Sequence, residues 1–554
     1  MNVVQAIAEV LKREGVQQLF AYPINPVIES CAEAGIRPII VRQERTGIHM
    51  ADALSRLTSG SQVGVFACQN GPGAENAFAG IAQAYTESVP LVFLPAGPPR
   101  AQAGYFPNFS PSINYRNVVK SAEQLTNPAM VWDAMRRAFS QARNGRPGPV
   151  MVEIPADVGL LEVEPYDYVP SATYRSAPDG RDVDEVARVL IEAERPVLYA
   201  GQGVHYSRAW DELRTLAELL EIPVATSLEG KSAFPETHPL SLGSGGAANP
   251  AAVHYHVGDA DVIFGIGCSF ARTGFGIQFP TGGKTYIHAT LDAADINKDL
   301  PASHALVGDA KLTLQALIEA VGDRLGGKPR RRLEAVTSQI KTQRDEWLQQ
   351  WTPKLTSNDT PINPYRVIWD LMQTIDVPNS VITHDAGSPR DQLSPFWQAV
   401  TPLSYIGWGK STQLGYGLGL AMGAKMAEPD KLCMNMWGDA AIGMTGMDFE
   451  TAVRNNIPIM SILFNNFSMA MEIPAMQIST AKYNSTDISG NYADFARALG
   501  GYSERITDPA EIIPAIKRGV QQTLEGRPVL LEFITQKEIE YSMRRVAIAP
   551  RQTP

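Results

Sequence analysis

Short apolar runs alternate with segments of helical period along the whole chain. Leu432 to Trp437 (LCMNMW) and Ile457 to Phe464 (IPIMSILF) read as two buried strands, each with a turn or polar signal at its C-terminal end. Met447 to Asn455 (MDFETAVRN), between them, suits a helix. Near the N-terminus Pro38-Ile39-Ile40 forms a strand closed by Val41, and the next helix carries Ile48, Ala51, Ala53 and Leu54 on its apolar side. Pro149 to Pro155 is a further strand, and the stretch from Val163 to Gly180, rich in Pro, Ser and Tyr, reads as a linker. A second unit opens at Arg195-Pro196-Val197, runs through Asp261 to Gly267 and Tyr286 to Asp292, and ends near Val321. A basic, polar helical segment from Lys328 to Gln350 bridges to a third unit, which begins near Pro364 and closes with Pro528 to Ile534. This alternation predicts an α/β protein with a mainly parallel sheet in each of three units.

Composition narrows the class. A chain of 554 residues suggests about three or four domains. Hydrophobic content of 44% and charged content of 19% describe a globular protein with large cores. A net charge of −10 favours solubility and argues against nucleic acid or an anionic membrane as partner. The first residues, MNVVQAIAEVLKREG, form an amphipathic helix with acidic positions and are neither a signal nor a transit peptide. No run reaches about 18 apolar residues, so no membrane span is expected. Cys31, Cys68, Cys268 and Cys433 lie far apart in apolar context without a CxxC pair, which predicts reduced, buried thiols in a cytoplasmic enzyme.

Candidate chemistry sits at strand ends. Gly438-Asp439-Ala440 is followed, after a gap of 24 residues, by Asn465-Asn466. Taken singly, Gly-Asp is an ordinary turn and Asn-Asn an ordinary loop. Their placement after two neighbouring strands puts a carboxylate and two carboxamides on the edge where open α/β sheets bind ligands. Asp, Asn and a backbone carbonyl form a hard oxygen set, suited to Mg²⁺ or Ca²⁺ carrying a diphosphate. Some 400 residues upstream (~400 by the numbering) Glu44 stands at a helix start, a place where a lone carboxylate simply faces the positive end of the helix dipole.

Together these segments resemble the thiamine diphosphate-dependent enzymes of the acetolactate synthase-like and 2-oxo acid decarboxylase group. The first match is Gly-Asp, the gap and Asn-Asn; the second is Arg42-x-Glu44, helix, strand, then Gly71-Pro72-Gly73-Ala74-x-Asn76. The resemblance covers residues 3 to 540 and implies three doubly wound parallel-sheet domains: pyrimidine-binding (1–165), central (185–325) and diphosphate- and Mg²⁺-binding (360–540). It implies a homodimer or homotetramer, because in that group the cofactor lies between the first domain of one subunit and the third of another.

The resemblance also assigns roles. Asp439, Asn466 and the Ser468 carbonyl would hold the metal, and Glu44 would bond the pyrimidine ring. Leu414 would support the folded cofactor, and the Thr412 carbonyl would accept from its amino group. Gly387, Ser388, Gly438, Ala440, Ala441, Met469 and Ala470 would surround the diphosphate. Asn25, Gln69 and Glu472 would face the reacting carbon, Glu472 matching the active-site glutamate of pyruvate decarboxylases by its offset of six from Asn466. His49 is expected to be structural; His384, before Asp385 at a strand end, could lie near the diphosphate.

The implied function is a lyase or carboligase acting on a 2-oxo acid or 2-hydroxyketone, with an aldehyde or ketone acceptor, through a C2-enamine. The alternatives are an FAD-containing oxidoreductase like pyruvate oxidase, and a non-catalytic regulatory paralogue. The substrate signature of acetolactate synthases is missing: Pro107 follows Phe106 where they carry Gln, and Ile473-Pro474-Ala475-Met476 replaces their Arg and Trp pattern, although Lys120 matches a lysine of that group. For FAD or ADP in the central domain, Gly243 to Gly246 and Gly267 to Arg272 have the right placement, but the group's Arg-Phe-Asp-Asp run is absent, so an empty structural domain is expected.

Overall fold

A computed structural model describes residues 1–544 and 546–548. It contains three six-stranded sheets in which every strand pairing is parallel. The first holds β1 (Gln18–Tyr22), β2 (Arg37–Ile40), β3 (Gly64–Cys68), β4 (Leu91–Gly97), β5 (Ala122–Gln124) and β6 (Pro149–Pro155) in the order β2-β1-β3-β4-β6-β5. The second holds β7 (Val197–Ala200), β8 (Val224–Ser227), β9 (Ser241–Gly245), β10 (Val262–Ile266), β11 (Thr285–Thr290) and β12 (His304–Val307) in the order β12-β11-β10-β7-β8-β9. The third holds β13 (Ser380–His384), β14 (Tyr405–Ile406), β15 (Leu432–Gly438), β16 (Met460–Asn465), β17 (Tyr502–Ile506) and β18 (Val529–Ile534) in the order β14-β13-β15-β16-β18-β17. The first and third sheets thus share one strand order. The second has the doubly wound dinucleotide-type order, read from its far edge. Central strands such as β3, β13 and β16 are buried along their whole length, because helices cover both faces.

Local chemistry adjusts the predicted elements. The strand expected from Ile457 starts only at Met460, since Asn456 sits at φ +55° and Pro458 has no N–H to give a ladder. The helix expected over 447–455 is a 3₁₀ turn, Gly446–Asp448, running into Phe449–Arg454, and a further helix, Asp439–Thr445, precedes them. At that turn the Asp448 carboxylate accepts from the Thr451 hydroxyl at 2.8 Å and from the Arg42 amide of the first unit at 2.7 Å.

Two features weld the first unit to the third. The Glu44–Leu57 and Tyr416–Ala427 helices pack closely because glycines line one of them: a Cβ on Gly423 would lie 2.3 Å from the Met50 carbonyl oxygen. Beneath them the buried Asp52–Arg56 pair closes at 2.7 Å, Arg56 donates to the Gly407 carbonyl at 2.7 Å, and the Tyr416 hydroxyl donates to Asp52. His49 packs against Tyr416 with ring centroids 4.1 Å apart. The linker helix Leu333–Leu355 seats Trp347 on Phe396 of the third unit, ring centroids 4.7 Å apart.

Cys31, Cys68 and Cys433 are buried free thiols. Cys268 departs from the expectation: it is half-buried, because it follows Gly267 at the open end of β10. Among the described residues no helix is long and apolar enough to cross a membrane.

Candidate active site

The end of β15 delivers Gly438 and then Asp439, the first residue of a helix; the end of β16 delivers Asn465 and Asn466 one strand away. Asp439 is buried. One carboxylate oxygen accepts from the Ala440 amide at 2.9 Å and the other from the Ser468 amide at 3.1 Å. The Asn466 carboxamide oxygen accepts from the same Ser468 amide at 3.0 Å. One shared N–H therefore brings the Asp439 and Asn466 oxygens together. The turn that allows it passes through Phe467 at φ +57°. Burial pushes the Asp439 carboxyl up to about 6, while the surrounding amides favour its charged form.

The neighbouring asparagines do different work. Asn465 is fully buried; its amide donates to Glu532 at 2.7 Å, and its oxygen accepts from the Phe467 amide at 3.1 Å. It holds the turn, and Asn466 faces the pocket. Among the described residues no group of three or more His, Cys, Asp or Glu could hold a metal. One carboxylate with one carboxamide fits instead a hard cation that keeps phosphate or water oxygens as its remaining ligands.

A cavity of about 110 Å³ lies over these groups. Its wall includes Asp439, Asn466 and Ser468, and also Gly387, Ser388, Gly438, Ala440, Ala441, Met469 and Ala470. Leu414 and Glu472 stand on the same wall, Leu414 half-buried and Glu472 exposed. Thr412 is on the Leu414 loop but outside the wall. His384 does not line the cavity: it is fully buried, stacked on Trp408 with centroids 4.9 Å apart, and takes the Trp408 amide at 3.4 Å. The aromatic floor below β13 claims its ring, and burial pushes its pKa well down.

The remaining candidates lie outside that wall. Glu44 opens its helix buried, accepting from the Asn76 amide at 3.3 Å, and a Cβ on Gly73 would lie 3.4 Å from its other oxygen. Burial raises its pKa. Gln69 is exposed at the end of β3, and Asn25 is exposed at the start of the Asn25–Glu33 helix. None of these three lines the cavity at Asp439. Within one chain the Glu44 helix packs against the helix that follows Leu414: a Cβ on Gly419 would lie 2.8 Å from the Thr46 carbonyl oxygen, and the Gln413 side chain donates to the Ala79 carbonyl. Phe106 is 98% exposed. Lys120 is structural: its ammonium donates to the carbonyls of Gln141, Asn144 and Arg146 at the end of a helix, and burial pulls its pKa to about 8.

Three groups escaped sequence reasoning. Asp385 accepts from the Ala386 and Gly415 amides, the Tyr541 hydroxyl bonds the Ser388 hydroxyl at 2.7 Å, and Asp448 anchors the turn before Glu44. None has a local motif; each depends on contacts across distant segments.

A second cavity of about 540 Å³ opens where the strand order of the second sheet reverses, between β7 and β10. Gln202, Gly203, Gly267 and Cys268 line it, with Arg146, Asp295 and Lys410. Of the Gly243–Gly246 run only Gly245 reaches the wall.

Comparison with known proteins covers all three units. The description "Thiamine pyrophosphate enzyme, N-terminal TPP binding domain" matches residues 1–124, the central domain of the same enzymes matches 183–317, and their C-terminal TPP binding domain matches 385–533. The probable acetolactate synthase large subunit of Methanocaldococcus jannaschii is 30% identical over 96% of this chain and 92% of its own length. The acetolactate synthase isozyme 3 large subunit of Escherichia coli K12 is 29% identical over 94% of this chain and 92% of its own length. The large subunit of Parasynechococcus marenigrum is 31% identical over 91% and 83%, respectively.

Proposed function

The chain belongs to the thiamine pyrophosphate enzymes, on their acetolactate synthase-like side, and from that premise we propose that it is a lyase or carboligase acting on a 2-oxo acid or 2-hydroxyketone. The observation that carries the reading is the pair of oxygens from Asp439 and Asn466, held on one Ser468 amide at the wall of a cavity. Asp439, Asn466 and the Ser468 carbonyl would hold Mg²⁺. Gly387, Ser388, Gly438, Ala440, Ala441, Met469 and Ala470 would hold the diphosphate through amides and a hydroxyl.

Thiamine diphosphate, when bound, supplies a carbanion that adds to a carbonyl carbon and then takes up the electrons of the bond that breaks. The chain's own residues orient it and move protons. Leu414 would support the folded cofactor, and the Thr412 carbonyl would accept from its amino group. Glu44 would share a proton with the pyrimidine nitrogen; its raised pKa suits that task better than an ordinary carboxylate would. Glu472, at the mouth, would deliver a proton to the carbon being released.

In this family the cofactor lies between the first domain of one subunit and the third of another; by that resemblance a complete site would combine the first unit of one copy with the third unit of another, and a homodimer would be the smallest working form. Asn25 and Gln69, both exposed, would then select the substrate. The relatives named acetolactate synthases support carbon–carbon bond formation as one outcome. Pro107 and the run from Ile473 to Met476 argue for a different acceptor or donor than theirs.

A second reading, a flavin-dependent oxidase, draws on the 540 Å³ cavity at the switch point of the second sheet, which suits FAD or ADP by size and position. Flavin absorbance in the purified protein would favour it. The test of the leading reading is incubation with thiamine diphosphate, Mg²⁺ and a panel of 2-oxo acids and aldehydes, with products identified by mass spectrometry. Release of CO₂ or a new ketol is expected; no turnover across the panel, with bound cofactor, would favour the regulatory paralogue.

A further inference from the structure

We infer that Asp385 is a positioning residue that fixes Leu414 against the cofactor pocket. The inference rests on the proposed role of Leu414. Asp385 follows β13 and is fully buried. One of its oxygens accepts from the amides of Ala386 at 2.8 Å and Gly415 at 2.9 Å; the other accepts from the Gly417 amide at 2.9 Å. Ala386 begins the turn that presents Gly387 and Ser388, and Gly415 directly follows Leu414. A single carboxylate thus joins two loops that both contribute to the cavity wall.

The Leu414 loop is held from a second side as well. Gly415 sits at φ +86°, and its carbonyl accepts from the Thr445 hydroxyl at 2.7 Å. Its peptide is therefore held at both ends, by Asp385 through the amide and by Thr445 through the oxygen. A Cβ on Gly417 would come within 3.2 Å of the Asp385 carboxylate, so the carboxylate and the helix start are in direct contact. Asparagine cannot replace this brace. It offers one acceptor oxygen, and its NH₂ would face a backbone N–H that has no other partner in this buried place.

The role separates from simple folding through coupling to Leu414. Four proteins are compared: wild type, Asp385→Asn, Leu414→Ala and the double variant. Two quantities are read in each: thiamine diphosphate affinity by calorimetry with Mg²⁺, and the rate at which the C2 proton of the bound cofactor exchanges in D₂O. Asp385→Asn should slow the exchange roughly 10- to 100-fold, the scale of a lost charge-assisted hydrogen bond, while affinity changes far less. The double variant should be no slower than the slower single variant. Wild-type exchange in Asp385→Asn, or effects of the two substitutions that multiply, would overturn the inference. If Asp385→Asn does not fold, Gly417→Ala presses on the same bond and the same coupling with Leu414→Ala is measured. A wild-type protein that binds no thiamine diphosphate would instead refute the proposed function, whatever Asp385 does.

Discussion

The first and third units are built on the same strand order and use it differently. In both, the helix after the second strand faces its counterpart, Glu44–Leu57 against Tyr416–Ala427. In both, the last-numbered strand carries a buried glutamate that braces loops at the sheet edge. Glu153 on β6 accepts from the Ser112 amide and the Gln124 side chain, each at 2.8 Å; Glu532 on β18 accepts from Asn465 at 2.7 Å and the Ala493 amide at 2.9 Å. The contrast is beside that glutamate. Asn465 ends β16, and Asn466 then turns into a cavity. Gly97 ends β4 at the corresponding place, where a Cβ would lie only 2.1 Å from Glu153. The third unit therefore ends its central strands in oxygen ligands beside an open cavity. The first unit buries Glu44 at a helix start and leaves Gln69 and Asn25 exposed. One unit carries a cavity; the other carries a carboxylate at the start of a helix that packs against the helix following Leu414.

This contrast can be broken at several points. Asp439→Ala should have the largest effect, abolishing Mg²⁺-dependent binding of thiamine diphosphate, since no second carboxylate stands in the proposed donor set. Calorimetry that finds unchanged affinity would remove the third unit's claim to the metal. Glu44→Gln should leave cofactor affinity nearly intact and lower turnover by about 10²–10⁴-fold, the range for a positioned acid or base. Wild-type turnover in that variant would leave the first unit without a chemical role.

The weld between the two units should show in stability. Asp52→Ala strands the buried Arg56 guanidinium and should cost about 3–5 kcal/mol in urea unfolding, with the Gly407 and Tyr416 contacts disturbed as well. A loss below about 1 kcal/mol would mean the helix packing alone holds the units together. Glu472→Gln should have the smallest effect. It should lower protonated product relative to ligated product by no more than about tenfold, because an exposed carboxylate can be partly replaced by water. A constant product ratio would take Glu472 out of the proposal.

The strand order of three units lies beyond periodicity, but their existence does not. Runs such as LCMNMW and VLLEFI are too apolar for anything but covered strands, and the turns between them are marked by Gly, Pro and Asn. The meeting of Asp439 with Asn466 was legible because both follow neighbouring strands at their C-terminal ends. Which asparagine would face the cavity was not, since Glu532 decides it from 67 residues away by claiming Asn465. His384 failed as a pocket residue for a related reason: Trp408, far along the chain, takes its ring. Asp385 looked like part of a turn, and its three amide partners include two from beyond residue 414. Local pattern shows which side chains reach a strand end. Packing between distant segments decides which way they point.

The central claim is that the working site combines Glu44 of one copy with Asp439 of another. The most direct measurement mixes two inactive variants, Glu44→Gln and Asp439→Ala, by co-expression. Random pairing puts both defects in one site of each mixed dimer and leaves the other site intact, so activity should return to about a quarter of wild type in a two-fold assembly. Activity that stays at the level of the separate variants, in a mixture shown to contain mixed dimers, would place both residues in a site within one chain and contradict the account.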